Sequence, residues 1–200
     1  MRGEGGFTIV EMLVALSIFA LLSAAGVTML RSSVDTQAAV DERLTELGAA
    51  GRLHALLASD LGQAVDRATR GPGGERPAFS GEASAMRLVR TGWSNIDEAP
   101  RSDLQRVEWR AQQGGVVRVG QTRLDGGDEG QPAVLARSIA NAAFRYRNLD
   151  GSWSSLFLSS EQQPLPTAVE VTLTPQGSAP VVMVFALPDT ADRSPQVPAA

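Results

Sequence analysis

An acidic residue at the start of a long apolar segment is the feature of this sequence with the most obvious chemical role. Glu11 stands directly before an uncharged apolar run that extends over residues 12–30. Such a run can cross a bilayer as a helix, for which about 20 residues are needed. A charged side chain in hydrocarbon costs about 2.5–3.5 kcal/mol or more, so residues of this kind usually mark a function. Glu11 is therefore expected to do more than anchor the chain.

Two common kinds of N-terminal segment compete as explanations. A secretory signal peptide has a basic first region, an apolar core of about 7–15 residues and a small-residue cleavage site after that core. Here the leader carries both Arg2 and Glu4, and the small residues of the segment lie inside the apolar run. A plain signal anchor explains the length of the run, but it explains neither the glycine directly before Phe7 nor the carboxylate at Glu11.

The sequence G-F-T-I-V-E at residues 6–11, followed by the apolar run, resembles the class III signal of type IV pilins and type II secretion pseudopilins. In that family a membrane peptidase cuts after the glycine and leaves the apolar segment in place. The resemblance implies prepilin peptidase cleavage between Gly6 and Phe7, N-methylation of Phe7 and a role in filament assembly for Glu11. Glu4 departs from the family pattern because it dilutes the usual basic leader.

The physical chemistry of Glu11 agrees with this resemblance. Cleavage would create an α-amine at Phe7, and two opposite charges in a low-dielectric setting are tolerated only when they are paired. Glu11 is therefore placed to meet the Phe7 amine of a neighbouring subunit, which would guide entry into a filament. Within one helix the two residues are four positions apart, so a contact inside the chain is the alternative.

Composition argues against several classes of function. The 200 residues carry a net charge of −4, one histidine and no cysteine. No clustered basic face points to a nucleic-acid partner, and a single histidine, His54, supports neither a multi-histidine metal site nor a conventional Ser-His-Asp triad. No G-x-S-x-G or H-E-x-x-H motif is present. We expect no catalytic residue, cofactor or metal; a membrane-anchored hydrolase is the rival class.

After residue 31 the continuous hydrophobicity gives way to apolar residues at three- and four-residue spacing, which predicts an amphipathic helix. We expect its apolar stripe to pack on the chain's own sheet, with a partner-binding seam as the alternative, and His54 to be partly buried. The stripe comprises Val40, Leu44, Leu47, Gly51, His54, Ala58, Leu61 and Val65, and Leu53 and Leu57 widen it.

Beyond a loop predicted at residues 70–77, short segments with period-two alternation predict antiparallel strands covered on one side by the helix. The last of them is evenly apolar, as expected of a central strand. The fold class is therefore α+β, with a long N-terminal helix, transmembrane and then amphipathic, packed on an antiparallel β-sheet head, and the resemblance implies that this fold is pilin-like. The predicted strands are residues 85–91, 104–111, 116–122, 143–149, 153–158, 168–174 and 181–187.

The predicted organisation has five parts. They are a prepilin leader at residues 1–6, a transmembrane segment at 7–30, an amphipathic stalk helix at 31–69, a periplasmic head at 70–188 and a disordered tail at 189–200.

Several polar and aromatic side chains of the head have structural interpretations. Trp93 is expected to cap the core, and Arg101 with Ser102 to hold a loop. Residues 125–130 are expected to form an exposed turn; a calcium loop is the alternative, although the spacing is not that of an EF-hand. The arginines at positions 106, 110, 118, 145 and 147 are expected on solvated strand faces, with an acidic partner surface as the alternative.

Four patches spread over the head resemble the minor pseudopilin J family of type II secretion systems. The resemblance implies a structural subunit at the tip of a short periplasmic pseudopilus, anchored in the inner membrane. Its implied partners are the minor pseudopilins I and K, pseudopilin H and the major pseudopilin G, and its implied role is to prime assembly for protein export. A minor pilin of a type IV pilus, acting in adhesion or DNA uptake, is the alternative. The patches are residues 92–95, 100–107, 165–173 and 184–188.

Processing of the N-terminus gives the first test. Membrane expression with a prepilin peptidase should yield a chain that starts at methylated Phe7, because the glycine at position 6 lets the backbone enter the protease site without a side-chain clash. Intact-mass and N-terminal analysis, with and without the peptidase, measures this. A chain that still starts at Met1 would be an ordinary signal-anchored protein, and a start near Val27 would indicate a secreted one.

Overall fold

The computed structural model describes residues 8–71, 73–93, 102–112, 114–126 and 128–189. The chain divides into two compact units, Met1–Gly48 and Ala49–Ala200. An α-helix, α1, runs over Ile9–Gly62 and contributes residues to both units. The predicted leader at residues 1–6, Phe7 and the tail from residue 190 onward lie outside the described residues.

In the first unit, α1 is uncharged and predominantly apolar over residues 12–30. Its large apolar side chains from Ile9 to Leu47 are between 50% and 81% exposed. A helix that is hydrophobic all round is stable only inside a membrane or among other apolar surfaces. Within the described residues, α1 is the helix that is long and apolar enough to cross a membrane, which agrees with the transmembrane segment predicted from the sequence.

The second unit holds eleven described strands. They are β1 (Thr69–Gly71), β2 (Gly74–Arg76), β3 (Phe79–Glu82), β4 (Ala85–Arg90), β5 (Gln105–Gln112), β6 (Gly114–Gly120), β7 (Ala133–Arg147), β8 (Trp153–Ser154), β9 (Phe157–Leu158), β10 (Ala168–Pro175) and β11 (Val181–Ala186). β1 and β2 form a separate hairpin, and the main sheet has the order β11-β10-β7-β6-β5-β4-β3-β9, with β8 beside β7. All of these pairings are antiparallel.

The long strand β7 bends the sheet. Its first part pairs with β6 and its last part with β10, and the register shifts twice along its pairing with β6. Ser138, in the middle of the strand, has a φ of 59°, a left-handed conformation that is uncommon for a residue other than glycine. Irregularities of this kind bend a strand and increase its twist.

The far end of β7 meets the turn between β3 and β4. The Phe144 N–H donates to the Ala83 carbonyl at 2.9 Å. The Tyr146 hydroxyl lies 2.8 Å from the Glu82 carbonyl and 3.1 Å from the Ala85 carbonyl, either of which can accept its proton. Burial raises the pKa of Tyr146 above its usual range, so this hydroxyl stays protonated as a donor. The sheet therefore curls until β7 contacts the β3–β4 hairpin.

The last turns of α1 cover the inner face of this curled sheet. Leu53, Leu57 and Leu61 are buried and belong to one apolar cluster with strand residues such as Trp109 and Phe144. This confirms the predicted fold class, including the use of the helix as the cover of the sheet.

The structure corrects the predicted phase of the apolar stripe. Val40, Leu44 and Leu47 are at least half exposed, and His54 and Ala58 are exposed as well. The buried line is instead Leu53, Leu57 and Leu61, at strict four-residue spacing, because these larger side chains fill the space above the sheet. The prediction that His54 is partly buried was wrong, although its ring lies 5.3 Å from that of Phe185.

The helix also ends earlier than residue 69. Gly62 is its last residue, and the chain then extends so that Ala64 bridges to Arg90 on β4. The predicted loop at 70–77 contains the β1–β2 hairpin, and β3 was not predicted. Glycine-rich composition suggested a loop there, but short hairpins tolerate the same residues.

Three other strand predictions differ from the structure. β7 begins at Ala133 rather than at residue 143, and the segment predicted at 153–158 is divided into β8 and β9. β11 lies at one end of the sheet rather than in its centre, and Val181, Val182 and Val184 are at least half exposed. An evenly apolar strand is therefore not enough to indicate a central position.

The packing of α1 on the sheet can be tested by truncating Leu57. Because this side chain is fully buried, Leu57→Ala should lower the free energy of unfolding by about 2–5 kcal/mol. Denaturant unfolding of the full chain in detergent micelles measures the change. Leu47→Ala, at a side chain that is 61% exposed on the same helix, should change it by less than about 0.5 kcal/mol. Equal losses in the two variants would contradict the observed phase of the helix.

Candidate functional site

The first turn of α1 holds the acidic residue that the sequence singled out. The Glu11 N–H donates to Thr8 Oγ1 at 3.2 Å, so Thr8 caps the helix. Thr8 and Glu11 have the spacing of a capping box, and a carboxylate in the first turn is favourable with the helix dipole. Glu11 is exposed and has a local stabilising role in addition to the predicted one. Since Gly6 and Phe7 lie outside the described residues, their roles stay predictions.

A buried carboxylate forms the second candidate site, at the opposite end of α1. Asp60 lies in the last turn of the helix and its side chain is 0% exposed. That turn holds no basic residue, and a negative charge near a helix C-terminus is unfavourable with the dipole. A buried charge persists only when it is paired and hydrogen-bonded, so the partners of Asp60 have to come from the sheet.

Three neighbouring strands supply those partners. Arg118 on β6 donates through Nε to Oδ2 at 2.7 Å and through Nη2 to Oδ1 at 3.1 Å, a two-pronged contact that fits the planar guanidinium. Arg90 on β4 donates to Oδ1 at 2.9 Å. The indole N–H of Trp109 on β5 donates to Oδ2 at 2.9 Å. Each carboxylate oxygen thus accepts two hydrogen bonds. We call these four side chains the Asp60 cluster.

The strand register brings the cluster together. Trp109 lies directly opposite Arg118 on the paired strands β5 and β6, and Arg90 ends the neighbouring strand β4. Arg90 also donates through Nε to the Thr91 carbonyl at 3.0 Å and through Nη2 to Gln63 Oε1. With both Asp60 oxygens occupied, the carboxylate is held as an ionic link between α1 and the sheet and has no oxygen directed at a substrate.

Two of the five arginines predicted on solvated faces are buried or partly buried. Arg118 belongs to the Asp60 cluster. Arg106 is 5% exposed and donates to Thr69 Oγ1 at 3.1 Å and to the Pro77 carbonyl at 3.0 Å. The reason is that the β1–β2 hairpin covers the outer face of β5, so alternation of polar residues there does not imply exposure.

The other three predicted arginines have surface or partly exposed positions. Arg145 and Arg147 are exposed as predicted, and Arg145 pairs with Glu170 at 3.1 Å. Arg110 is partly exposed and pairs with Glu108 at 2.6 Å and Glu129 at 2.9 Å. Burial raises the pKa of Glu108, but the hydrogen bond from Arg110 and the charges of the neighbouring arginines outweigh it and hold the pKa below its usual range.

The acidic turn at residues 125–130 is fastened to β1. Asp125 Oδ1 accepts from the Arg70 N–H at 2.6 Å, and the Gly126 N–H donates to the Arg70 carbonyl at 3.0 Å. Glu129 is occupied by Arg110. In the described ranges, which omit residue 127 of this turn, no group of three His, Cys, Asp or Glu side chains is placed to hold a metal ion.

Trp93, the predicted core cap, is partly buried. Its backbone N–H donates to the Asp103 carbonyl at 2.9 Å. Ser102 Oγ accepts from the Leu104 N–H at 3.0 Å, a contact within its own turn, so its role in holding the loop stays a prediction. Arg101 lies outside the described residues.

The apolar helix, its N-terminal motif and the curled antiparallel sheet together define a membrane-anchored protein of the pilin-like class. A model of the prokaryotic N-terminal methylation motif matches residues 1–27, and a model of the Type II secretion system (T2SS) protein J matches residues 28–187. The chain belongs to the type II secretion system protein J family.

Relatives and a solved structure agree with this assignment. The chain is 28% identical over 194 residues to the type II secretion system protein J of Klebsiella pneumoniae, covering 94% of this chain and 96% of the relative. It is 32% identical over 186 residues to that of Escherichia coli, covering 86% and 90%. A chain in the crystal structure of the GspK-GspI-GspJ complex from enterotoxigenic E. coli shares the fold, with a TM-score of 0.62, 24% identity and coverage of 72% of this chain and 98% of that chain.

The contacts of the Asp60 cluster predict that a single substitution at Asp60 strongly lowers the free energy of unfolding. Asp60→Asn removes the negative charge and leaves Arg90 and Arg118 partly buried without it, so the free energy of unfolding should fall by about 3–5 kcal/mol. Denaturant unfolding of the full chain in detergent micelles measures the loss. Asp66→Asn, the same change at an exposed position, should have little effect. If both variants unfold at the same denaturant concentration, the cluster does not hold the helix on the sheet.

Proposed function

We propose that this protein is the minor pseudopilin that occupies the tip of a type II secretion pseudopilus and helps prime its assembly for the export of folded proteins. The observation that carries the proposal is the family match over residues 28–187, preceded by the methylation motif over residues 1–27. The two matches together extend from the first residue to the end of the described sheet.

The partners follow from the related complex. The related GspJ of E. coli was crystallised with GspK and GspI. We infer that this chain binds the minor pseudopilins I and K, and that pseudopilin H and the major pseudopilin G are further subunits of the same filament. The sheet unit would then lie in the periplasm of a Gram-negative bacterium, with the apolar part of α1 in the inner membrane.

The N-terminus of α1 would take part in two steps, processing and extraction. Prepilin peptidase would cut between Gly6 and Phe7, and the Phe7 amine would then be methylated. Residues 12–30 would hold the subunit in the membrane until it enters the filament. One feature supports pairing of Glu11 with an amine from a neighbour. Its side chain is exposed, so it is accessible to a neighbouring subunit.

A structural role accounts for the polar side chains of the head better than catalysis does. Asp60 is saturated by donors from three strands, and Glu108, Glu129 and Glu170 are each paired with arginine. The matched family belongs to type II secretion, which favours this role over that of a minor pilin in a type IV pilus.

Substitution of Glu11 tests the assembly role. Glu11→Ala should reduce type II secretion to the level of a deletion strain, because the Phe7 amine would lose its counter-charge on entering the filament. The measurement is export of a reporter substrate from a deletion strain complemented with each variant. Membrane levels of the chain and its co-purification with pseudopilins I and K show that it is still made and folded.

Two matched variants separate pairing from helix capping. Thr8→Ala removes the side chain that accepts the Glu11 N–H but keeps the carboxylate, and Asp35→Ala removes an exposed carboxylate further along α1. Both should support export. Loss of export in Thr8→Ala equal to that in Glu11→Ala would mean that Glu11 acts through the helix end, and normal export in Glu11→Ala would refute the role in assembly.

A further inference from the structure

A polar cavity of about 220 Å³ lies on the outer face of the sheet. Arg87 on β4 and Glu108 on β5 stand opposite each other across the strands. They alternate with the inward-facing residues Met86 and Trp109, so they point away from α1. The cavity therefore lies on the opposite face of the sheet from α1 and the Asp60 cluster.

The walls of the cavity are held in place by contacts distant in sequence. Arg106 joins β5 to Thr69 on β1 and to the Pro77 carbonyl after β2. The turn that holds Asp125 is fastened to β1 through Arg70. Val119, a lining residue on β6, is only 2% exposed. The β1–β2 hairpin and this turn thus fold over the outer face of the sheet and enclose the cavity on two sides.

Positive charge exceeds negative charge around the cavity. Arg76, Arg87, Arg106 and Arg110 line it together with two acidic residues. Glu108 lies 2.7 Å from Arg87 and 2.6 Å from Arg110, and Glu129 pairs with Arg110 as well. For Arg76 and Arg106, no carboxylate of a described residue lies within ion-pair distance.

Arg106 is the unusual member of this set. Its side chain is almost fully buried, and its hydrogen bonds within the described chain are Nη1 contacts to a hydroxyl and a carbonyl, both neutral. Burial lowers the pKa of Arg106, the nearby charges of Arg76 and Arg87 lower it further, and the charge of Glu108 offsets this only in part. A buried charge without a directly contacting counter-ion is costly, and an anion in the cavity would offset that cost.

One acceptor in the cavity lacks a hydrogen-bond donor among the described residues. Gln121 Oε1 is buried without a hydrogen bond. Glu108 Oε1 is instead paired with Arg87 at 2.7 Å. A ligand that fits the cavity therefore brings an N–H donor in addition to a negative charge.

We propose that this cavity, the arginine pocket formed by Arg76, Arg87, Arg106, Arg110 and Gln121, binds an aspartate or glutamate side chain of a partner polypeptide together with the adjacent backbone N–H. The carboxylate meets the guanidinium groups, and the N–H donates to Gln121. The volume is below the range of about 300–1,000 Å³ that is typical of small-molecule sites, and it suits one side chain. This inference goes beyond the proposed function and does not depend on it.

The test uses the full chain in detergent micelles with ¹⁵N-labelled arginine, and follows the Nε–Hε signals by NMR. The probes are N-acetyl-aspartate N-methylamide, its asparagine analogue, acetate and inorganic phosphate. The aspartate probe should shift the Arg76 and Arg106 signals saturably, and the asparagine analogue should not. Acetate and phosphate should bind more weakly, because neither brings an amide N–H.

Two variants locate the site. Arg76→Gln should weaken binding of the aspartate probe by at least about tenfold, because a hydrogen bond to a charged group contributes about 1.5–3 kcal/mol. Arg137→Gln, at an exposed arginine on β7 outside the pocket, should leave binding unchanged. Arg106 itself is kept, since its burial makes it a structural residue as well.

Each other outcome would overturn the proposal. Absence of a saturable shift would mean that the pocket binds no carboxylate ligand. Equal affinity for phosphate or acetate would make it a general anion site with no preference for a polypeptide. Equal weakening in Arg76→Gln and Arg137→Gln would show that overall charge, rather than the pocket, attracts the probe. Because the isolated chain is used, none of these results bears on secretion.

Discussion

The carboxylate of Asp60 is the interaction on which the arrangement of the sheet unit depends. Leucines alone would hold the last turns of α1 on the sheet, but apolar contacts are not directional and several settings of the helix bury similar areas. The four hydrogen bonds to Asp60 are directional, and they come from three adjacent strands. They select one rotation and one axial position of the helix, and the phase of the leucine line follows from that selection.

The two faces of the sheet differ in the ion-pair partners of their arginine side chains. On the inner face, Arg90 and Arg118 both pair with the carboxylate of Asp60. On the outer face, Glu108 and Glu129 pair with Arg87 and Arg110, while Arg76 and Arg106 have no ion-pair partner in the part of the chain that the structure describes. The paired arginines link α1 to the sheet, and the unpaired arginines line the pocket for which an acidic ligand is proposed. The same residue type thus has different surroundings on the two faces.

The sequence predicted those features that depend on local pattern. Continuous hydrophobicity indicated the first part of α1, and alternation indicated most of the long strands. It did not predict the role of Asp60, because the partners Arg90 and Arg118 are 30 and 58 residues away along the chain. The predicted exposure of Arg106 was wrong for the same reason. The β1–β2 hairpin forms between residues close in sequence, but it covers Arg106, which is distant in sequence. The roles of Gly6, Phe7 and Glu11 came from resemblance and await experiment.

The continuity of α1 has a mechanical consequence. The helix is unbroken from its apolar segment to the turn that holds Asp60, so a pull on the membrane end would be transmitted along the helix to that turn. There the load would be divided among β4, β5 and β6 at the same moment, because one carboxylate is bonded to all three. Bonds that share a load must rupture together rather than in sequence. The extraction proposed for this subunit would therefore load the Asp60 cluster as one unit.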